Sequence, residues 1–246
     1  MITGAPPSAT GVDTVPTRFA HTCVKICGLT RAVDVDAAVA SGANAVGFVL
    51  YPESPRYVPP EVAAGLARRL PPLVTPVLLF VNATLTQIRD ACGRFDRCIL
   101  QFHGDESAAD CVAIATSVGR PFWRAARVPA NRPFDLLKFA AEYRAAQALL
   151  LDAEVAGYGG GGRSFDWSLL PAKIPAHVVL SGGLTAENVR AGIRALRGRG
   201  ASLTVDVSSG VEATDAAGRP LKGVKDADKM RHFIAAVRAA DDSCSG

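Results

Sequence analysis

The chain predicts a single (βα)8 barrel, the TIM-barrel class of α/β folds, and three observations lead there. Short apolar, β-branched runs alternate with longer helical patterns, and the alternation persists along the chain. The runs are nearly continuous in apolar residues, as expected of parallel strands covered by helices on their outer face. About eight such units fit within 246 residues, the size of one barrel. The alternative is an open doubly wound sheet; the strand count and the absence of GxGxxG after the first strand weigh against it.

The strand runs in order are CVKIC (23–27), AVGFVL (45–50), PVLLFV (76–81), CILQF (98–102), PFWRAA (121–126), ALLLD (148–152), HVVLS (177–181) and LTVDV (203–207). Between them lie TRAVDVDAAVASGA, PPEVAAGLARRL, TLTQIRDACGRF, DESAADCVAIATSVG, FDLLKFAAEYRAAQ and TAENVRAGIRALRGRG. Each carries apolar residues at three and four spacing and opens near Thr, Asp or Pro, which suits a helix N-terminus. Residues 1–22, rich in Pro, Thr, Gly and Ser, are expected to form a loose extension; residues 23–240 form the catalytic barrel and 241–246 a tail.

Composition narrows the function classes. The chain is 49% hydrophobic and 20% charged, and no apolar run approaches the roughly 20 residues needed to span a bilayer. The N-terminal stretch lacks a basic start and an apolar h-region, so a cytoplasmic protein is expected. The six cysteines are scattered, which argues for free thiols, and neither they nor the four histidines show metal-ligand spacing. No metal and no cofactor is expected. A net charge of +4 dispersed among acidic residues suits a small anionic substrate better than nucleic acid, and no membrane partner is expected. The oligomeric state stays open.

Active sites of such barrels lie at the C-terminal ends of the strands. Period-two alternation places Cys23, Lys25 and Cys27 on one face of the first strand, with Cys27 nearest the mouth and Val24 and Ile26 towards the helices. Cys27 is either a reactive thiol or an inert small hydrophobe. Asp152 closes ALLLD, where a carboxylate needs a partner, a task or a capping role. The following glycines, 157 and 159 to 162, form a pliable loop, with Arg163 as an anion hook. Gly182 and Gly183 in LSGGLTAENV, and Ser209 and Gly210 in VDVSSGVE, supply the free N–H groups of a phosphate cradle after strands 7 and 8, the first running directly into a helix at TAENV. Ordinary βα turns are the alternative. Prolines 52, 55, 59 and 60 stiffen the loop that presents Arg56, whose planar fork suits a carboxylate or an ordinary salt bridge.

Taken in order, VKICGLT, GANAVGFVLYPESPRYV, LQFHGDE, LLLD with YGGGGRSFDWSLL, LSGGLTAENV, VDVSSGVE and GVKDADKM resemble the phosphoribosylanthranilate isomerase family of tryptophan biosynthesis. The resemblance runs from Val24 to about Ile234. It implies an Amadori rearrangement of N-(5-phosphoribosyl)anthranilate to 1-(2-carboxyphenylamino)-1-deoxyribulose 5-phosphate, without metal or cofactor. It further implies Cys27 as base, Asp152 as acid, Arg56 as holder of the anthranilate carboxylate, and the SGG and SSG glycines as phosphate ligands. Asp206 and His103 are in motif positions at strand ends and are expected to line the site, His103 in a structural role and not a catalytic one. Lys25 is either a modulator that lowers the thiol's pKa or a buried charge with another partner.

Two features depart from the family pattern: Arg163 and Ser164 replace a common Lys-Thr pair, and ATDAAGRPLKG lengthens the connection after SSGVE. The histidine-pathway isomerase family, which resembles a duplicated half-barrel, would need aspartates ending strands 1 and 5. Here strand 1 ends in Cys27, and PFWRAARV has none. Indole-glycerol-phosphate synthase would need a Lys and Glu pattern that Lys25 alone does not provide. A phosphate-binding barrel that has lost its chemistry is disfavoured by the presence of both Cys27 and Asp152.

Overall fold

Eight parallel strands close into a ring in the computed structural model, which describes residues 21–129, 134–153 and 165–243. They are β1 (Cys23–Cys27), β2 (Ala45–Val49), β3 (Thr75–Phe80), β4 (Ile99–Phe102), β5 (Phe122–Val128), β6 (Ala148–Ala153), β7 (Val178–Leu180) and β8 (Leu203–Val207), each hydrogen-bonded to the next. Every predicted strand is present, with ends within two residues of expectation. The ring closes where β8 pairs with β1, Lys25 standing opposite Asp206.

The helices are α1 (Ala32–Ser41), α2 (Pro60–Ala67), α3 (Leu85–Cys92), α4 (Ala108–Val118), α5 (Leu136–Glu142), α6 (Val189–Leu196) and α7 (Ala227–Asp242). Thr84 opens α3 with a reciprocal capping box to Gln87, Ser107 accepts from the Asp110 N–H ahead of α4, and Asp226 accepts from two N–H groups at the start of α7. Each pairing satisfies donors that a helix N-terminus leaves free. After β6 the described residues hold a 3₁₀ turn, Trp167–Leu169, in place of an α-helix. Helix α6 starts at Val189, later than expected, because Thr185 to Asn188 form a turn of their own in which the Asn188 side chain accepts from the Thr185 N–H and donates to the Gly183 carbonyl. The SGG turn therefore meets that Asn-closed turn first and the helix only afterwards.

Alternation along each strand sorts side chains into two layers. Val24, Ile26, Val46, Phe48, Leu78, Phe80, Leu100 and Phe102 join the helices in the outer core. Ala45, Val77, Trp123, Ala125, Ala148, Leu150 and Val179 fill the barrel interior with Ile99. Apolar residues thus floor the interior, and the inward positions further along the strands are polar: Lys25, Cys27, Gln101, Asp152 and Asp206.

The long connection after β8 is an antiparallel hairpin, β9 (Glu212–Thr214) with β10 (Pro220–Lys225). Its root is fastened to the loop after β1. Thr30, expected as a helix cap, instead donates its hydroxyl to the Gly223 carbonyl at 2.6 Å, and the Lys225 N–H donates to Asp34 at 3.0 Å.

The residue before β1 meets the last turn of α7. Asp241 on α7 accepts from the Thr22 N–H and hydroxyl, each at 2.7 Å, and pairs with Arg197 beyond α6. The expected divisions after 22 and before 241 run through this contact. Asp241→Ala strips a buried carboxylate from three donors and should lower the unfolding free energy by about 3 kcal/mol. Urea unfolding followed by circular dichroism measures the loss, and a change below about 0.5 kcal/mol would show the contact to be dispensable.

Candidate active site

Strand β1 delivers two functional side chains inward. Lys25 is fully buried, and its Nζ lies 2.7 Å from Asp206 Oδ1. The other carboxylate oxygen of Asp206 accepts from the Ser181 hydroxyl at 3.1 Å. Burial works to lower the Lys25 pKa, but Asp206 and the neighbouring thiol outweigh it, so the ammonium holds its proton more tightly than a free lysine. Cys27 sits one pleat nearer the mouth. Burial pushes its thiol pKa up, Lys25 pulls it down, Asp206 pushes it up again, and Lys225 pulls it down, with a net rise. Lys25 thus acts on the thiol in the expected direction, yet desolvation outweighs it. Of the two roles open for Lys25, the structure supplies the buried charge with a partner, Asp206, while keeping the pull on the thiol.

Room for this pair comes from Gly47 on β2, opposite Cys27. A methyl group there would stand 2.7 Å from Cys27 Sγ, closer than real contacts allow, and a tight 3.1 Å from Lys25 Cε and Nζ.

Across the mouth, β4 and β6 bring His103 and Asp152 together. His103 is buried, and its Nε2 lies 3.2 Å from Asp152 Oδ2, close enough to pair although not aligned as a hydrogen bond. The Gln101 amide nitrogen is 3.0 Å from Nδ1, an arrangement in which Nδ1 accepts and Nε2 can carry a proton towards the carboxylate. His103, expected to line the site in a structural role, thus faces Asp152. The loop that holds it is clamped: the Glu106 carboxylate accepts from the Asn82 and Gly104 N–H groups at 2.7 and 2.9 Å and from Arg124.

Arg56 reaches the end of β1 and lies over Gly28, where a Cβ would meet its Cδ at 2.6 Å. Its Nε and Nη2 form a buried fork with Glu212 at 2.6 and 3.0 Å. Glu212 also accepts from the Gly223 N–H at 2.9 Å and from Lys225 at 3.5 Å. Burial works against the Glu212 carboxylate, and these donors overcome it, holding it below the usual glutamate range. Nη1 stays outside the fork.

The two glycine turns touch. Gly182 and Gly183 adopt φ of 82° and 60°, a region glycine enters without strain. Gly210 presses against them so closely that a Cβ would stand 2.0 Å from the Leu184 carbonyl oxygen. Ser209 and Gly210 belong to a 3₁₀ turn, Ser209–Val211, which leads into Glu212. Arg163 and the glycines from 157 to 162 lie outside the described residues. Among the described residues, no cluster of three or more His, Cys, Asp or Glu could hold a metal ion, and no helix is long and apolar enough to cross a membrane.

Residues 24–236 match the family model described as N-(5'phosphoribosyl)anthranilate (PRA) isomerase. The chain belongs to that family. An N-(5'-phosphoribosyl)anthranilate isomerase of Leptothrix cholodnii is 54% identical over 231 residues, covering 92% of this chain and 97% of that protein. Among solved structures, the phosphoribosyl anthranilate isomerase of Thermotoga maritima is 40% identical with a TM-score of 0.76, covering 89% of this chain and 99% of its own. Another solved family member, 36% identical with a TM-score of 0.71, covers 89% of this chain and 99% of its own; it is in complex with reduced 1-(o-carboxyphenylamino)-1-deoxyribulose 5-phosphate.

Sequence reasoning alone overlooked Gln101, Ser181, Glu212 and Lys225 as parts of this isomerase-family site. Lys225 lies in the GVKDADKM motif, to which the resemblance attaches no role.

Asp206→Asn should leave Lys25 buried without a carboxylate and lower the unfolding free energy by about 3–5 kcal/mol at pH 7. The pH dependence reverses as well. In the wild type, the stability that Lys25 contributes is fully present below the unfolded lysine value of about 10.4 and is lost as pH rises through the higher folded value. In the variant, only the Cys27 thiol still opposes burial at Lys25, its folded value should fall below the unfolded one, and stability should climb as pH rises between the two. Urea midpoints at pH 7 and 10 read both effects.

Proposed function

We propose that this barrel performs the phosphoribosylanthranilate isomerase reaction of tryptophan biosynthesis with Cys27 as base and Asp152 as acid. The substrate is N-(5-phosphoribosyl)anthranilate, an aminoaldose, and the product is 1-(2-carboxyphenylamino)-1-deoxyribulose 5-phosphate, an aminoketose. The observation that carries this reading is that two opposed inward strand ends, β1 and β6, present a thiol and a carboxyl group at one barrel mouth in a chain of the isomerase family. A solved relative that binds the reduced form of this product supports the choice of substrate.

The chemistry needs two groups in opposite protonation states. Asp152, protonated when substrate is bound, gives its proton to the furanose ring oxygen; the ring C–O bond breaks, and the anomeric carbon becomes an iminium. His103, with its proton on Nε2, donates towards the carboxylate left behind. The Cys27 thiolate then removes the C2′ proton, and the electron pair moves into the new C1′–C2′ double bond of an enolamine. Protonation at C1′ and loss of the enol proton give the ketone. Gly182, Gly183, Ser209 and Gly210 offer backbone donors to the phosphate, and Arg56 Nη1 offers a donor to the anthranilate carboxylate while Glu212 holds the rest of the fork. Asp206 and Lys25 line the floor beneath the thiol. Arg163 is proposed as a further anion hook, and the barrel works as a cytoplasmic enzyme.

Cys27→Ala and Asp152→Asn should each lower kcat by roughly 10²–10⁴. Neither should restore growth without tryptophan to a strain lacking this isomerase, whereas the wild-type gene should. Growth with either variant equal to wild type would overturn the assigned roles.

A further inference from the structure

An acid that must arrive protonated has an imidazole for a neighbour. His103 Nε2 stands 3.2 Å from Asp152 Oδ2, and both residues are buried. A carboxylate so close ordinarily draws a second proton onto the ring, and the resulting imidazolium holds the carboxylate ionised. Proton donation by Asp152 therefore needs a neutral ring beside it. The second proton would go to Nδ1, and that position is occupied. Gln101 and His103 lie two residues apart on the inner face at the end of β4, so their side chains are neighbours. Gln101 is fully buried, its amide nitrogen is 3.0 Å from Nδ1, and its amide oxygen has no hydrogen-bond partner among the described residues, so the bond to the ring is what orients the amide.

An amide N–H aimed at Nδ1 takes the lone pair that protonation would use. It bonds a neutral ring and opposes an imidazolium, whose two nitrogens are both donors. The charged groups packed around the ring are engaged elsewhere. Glu106 accepts from the Asn82 and Gly104 N–H groups and from Arg124, and Arg124 of β5 also donates to the Phe102 and Gly104 carbonyls. Arg127, opposite Asp152 in the β5–β6 ladder, pairs with Asp105. From β3 the Phe80 carbonyl accepts from the His103 N–H at 2.9 Å, and across the mouth Lys25 of β1 pairs with Asp206 of β8. We propose that Gln101 is a positioning residue that keeps Nδ1 of His103 free of a proton, so that the ring stays neutral, carries its one proton on Nε2, and lets Asp152 hold the proton it gives to the ring oxygen. The inference rests on the acid role proposed for Asp152. The same Nε2 proton then faces the carboxylate once Asp152 has given its own away.

The test reads the ring itself in the full-length protein without substrate. With histidine labelled by nitrogen-15, ring spectra at pH 7 show which nitrogens carry protons, and His103→Asn assigns the signal by its loss. The wild type should show Nε2 protonated and Nδ1 bare. Gln101→Met keeps the length of the side chain and removes the donor; Nδ1 should then take a proton, and kcat should fall about tenfold with KM unmoved. An unchanged ring in Gln101→Met overturns the proposal whatever kcat and KM do, because a glutamine that only packs would leave the ring nitrogens as they are. A protonated Nδ1 with an unchanged kcat overturns it as well. If Gln101→Met does not fold, the wild-type spectrum decides alone: a bare Nδ1 supports the proposal, and a protonated Nδ1 sinks it. Asp152→Asn activity is read separately, so an active asparagine variant would remove the acid role while leaving the state of the ring standing.

Discussion

A lysine and an aspartate meet inside the barrel at the seam where its last strand joins its first, and the site is built outward from that pair. Lys25 and Asp206 occupy the same rung of the β1–β8 ladder, so closing the ring brings them together. Neither charge could be buried alone without a large desolvation cost. Together they form a charged floor above the apolar layer of Val77, Leu150 and Val179, and they set the electrostatic surroundings of Cys27 one pleat above. The glycine opposite, Gly47, is the steric counterpart of that choice, since any side chain there would meet the thiol and the lysine.

Around this floor the mouth divides into two halves. On the β4 and β6 side, Gln101 bonds one ring nitrogen of His103, and the other faces Asp152. On the β1 and β8 side, the hairpin β9–β10 is more than an ornament of the loop. Its root supplies Glu212 and Lys225, is fastened to Thr30 after β1, and holds the Arg56 fork over Gly28. A connection that reads in sequence as a lengthened loop thus positions the arginine and the backbone of the SSG turn at once. Buried charges of this kind are expensive unless each has its donors in place, which is why so many loops converge here.

Much of this was legible in the sequence, and the limits are physical. Strand and helix periodicity located all eight strands because each is a dense apolar run with a single inward and outward pattern. The same alternation put Cys27 and Lys25 on the inner face. Asp206 stood out as a charge near the end of an apolar strand, but its partner could not be read: Lys25 lies 181 residues away, and only ring closure makes them neighbours. Lys225 and Glu212 were invisible for a related reason. In sequence they are ordinary charged residues of a polar segment, and their burial comes from a hairpin that packs onto two distant loops. The approach of His103 to Asp152 could not be read from the sequence, because strands β4 and β6 are not adjacent in the ring. The late start of α6 reflects a local competition, the Asn188 side chain bonding the turn that a helix would otherwise occupy.

In the proposed reaction the thiolate of Cys27, held in this charge network, takes the substrate proton. The most direct test compares two titrations of the same wild-type enzyme. The ascending limb of kcat/KM against pH reports the essential base of the free enzyme, and the labelling profile of Cys27 reports the thiol itself. The two midpoints should coincide, above the value of an ordinary cysteine because burial outweighs the lysines. An ascending limb well separated from the Cys27 titration, or one that survives unchanged in Cys27→Ser, would contradict it.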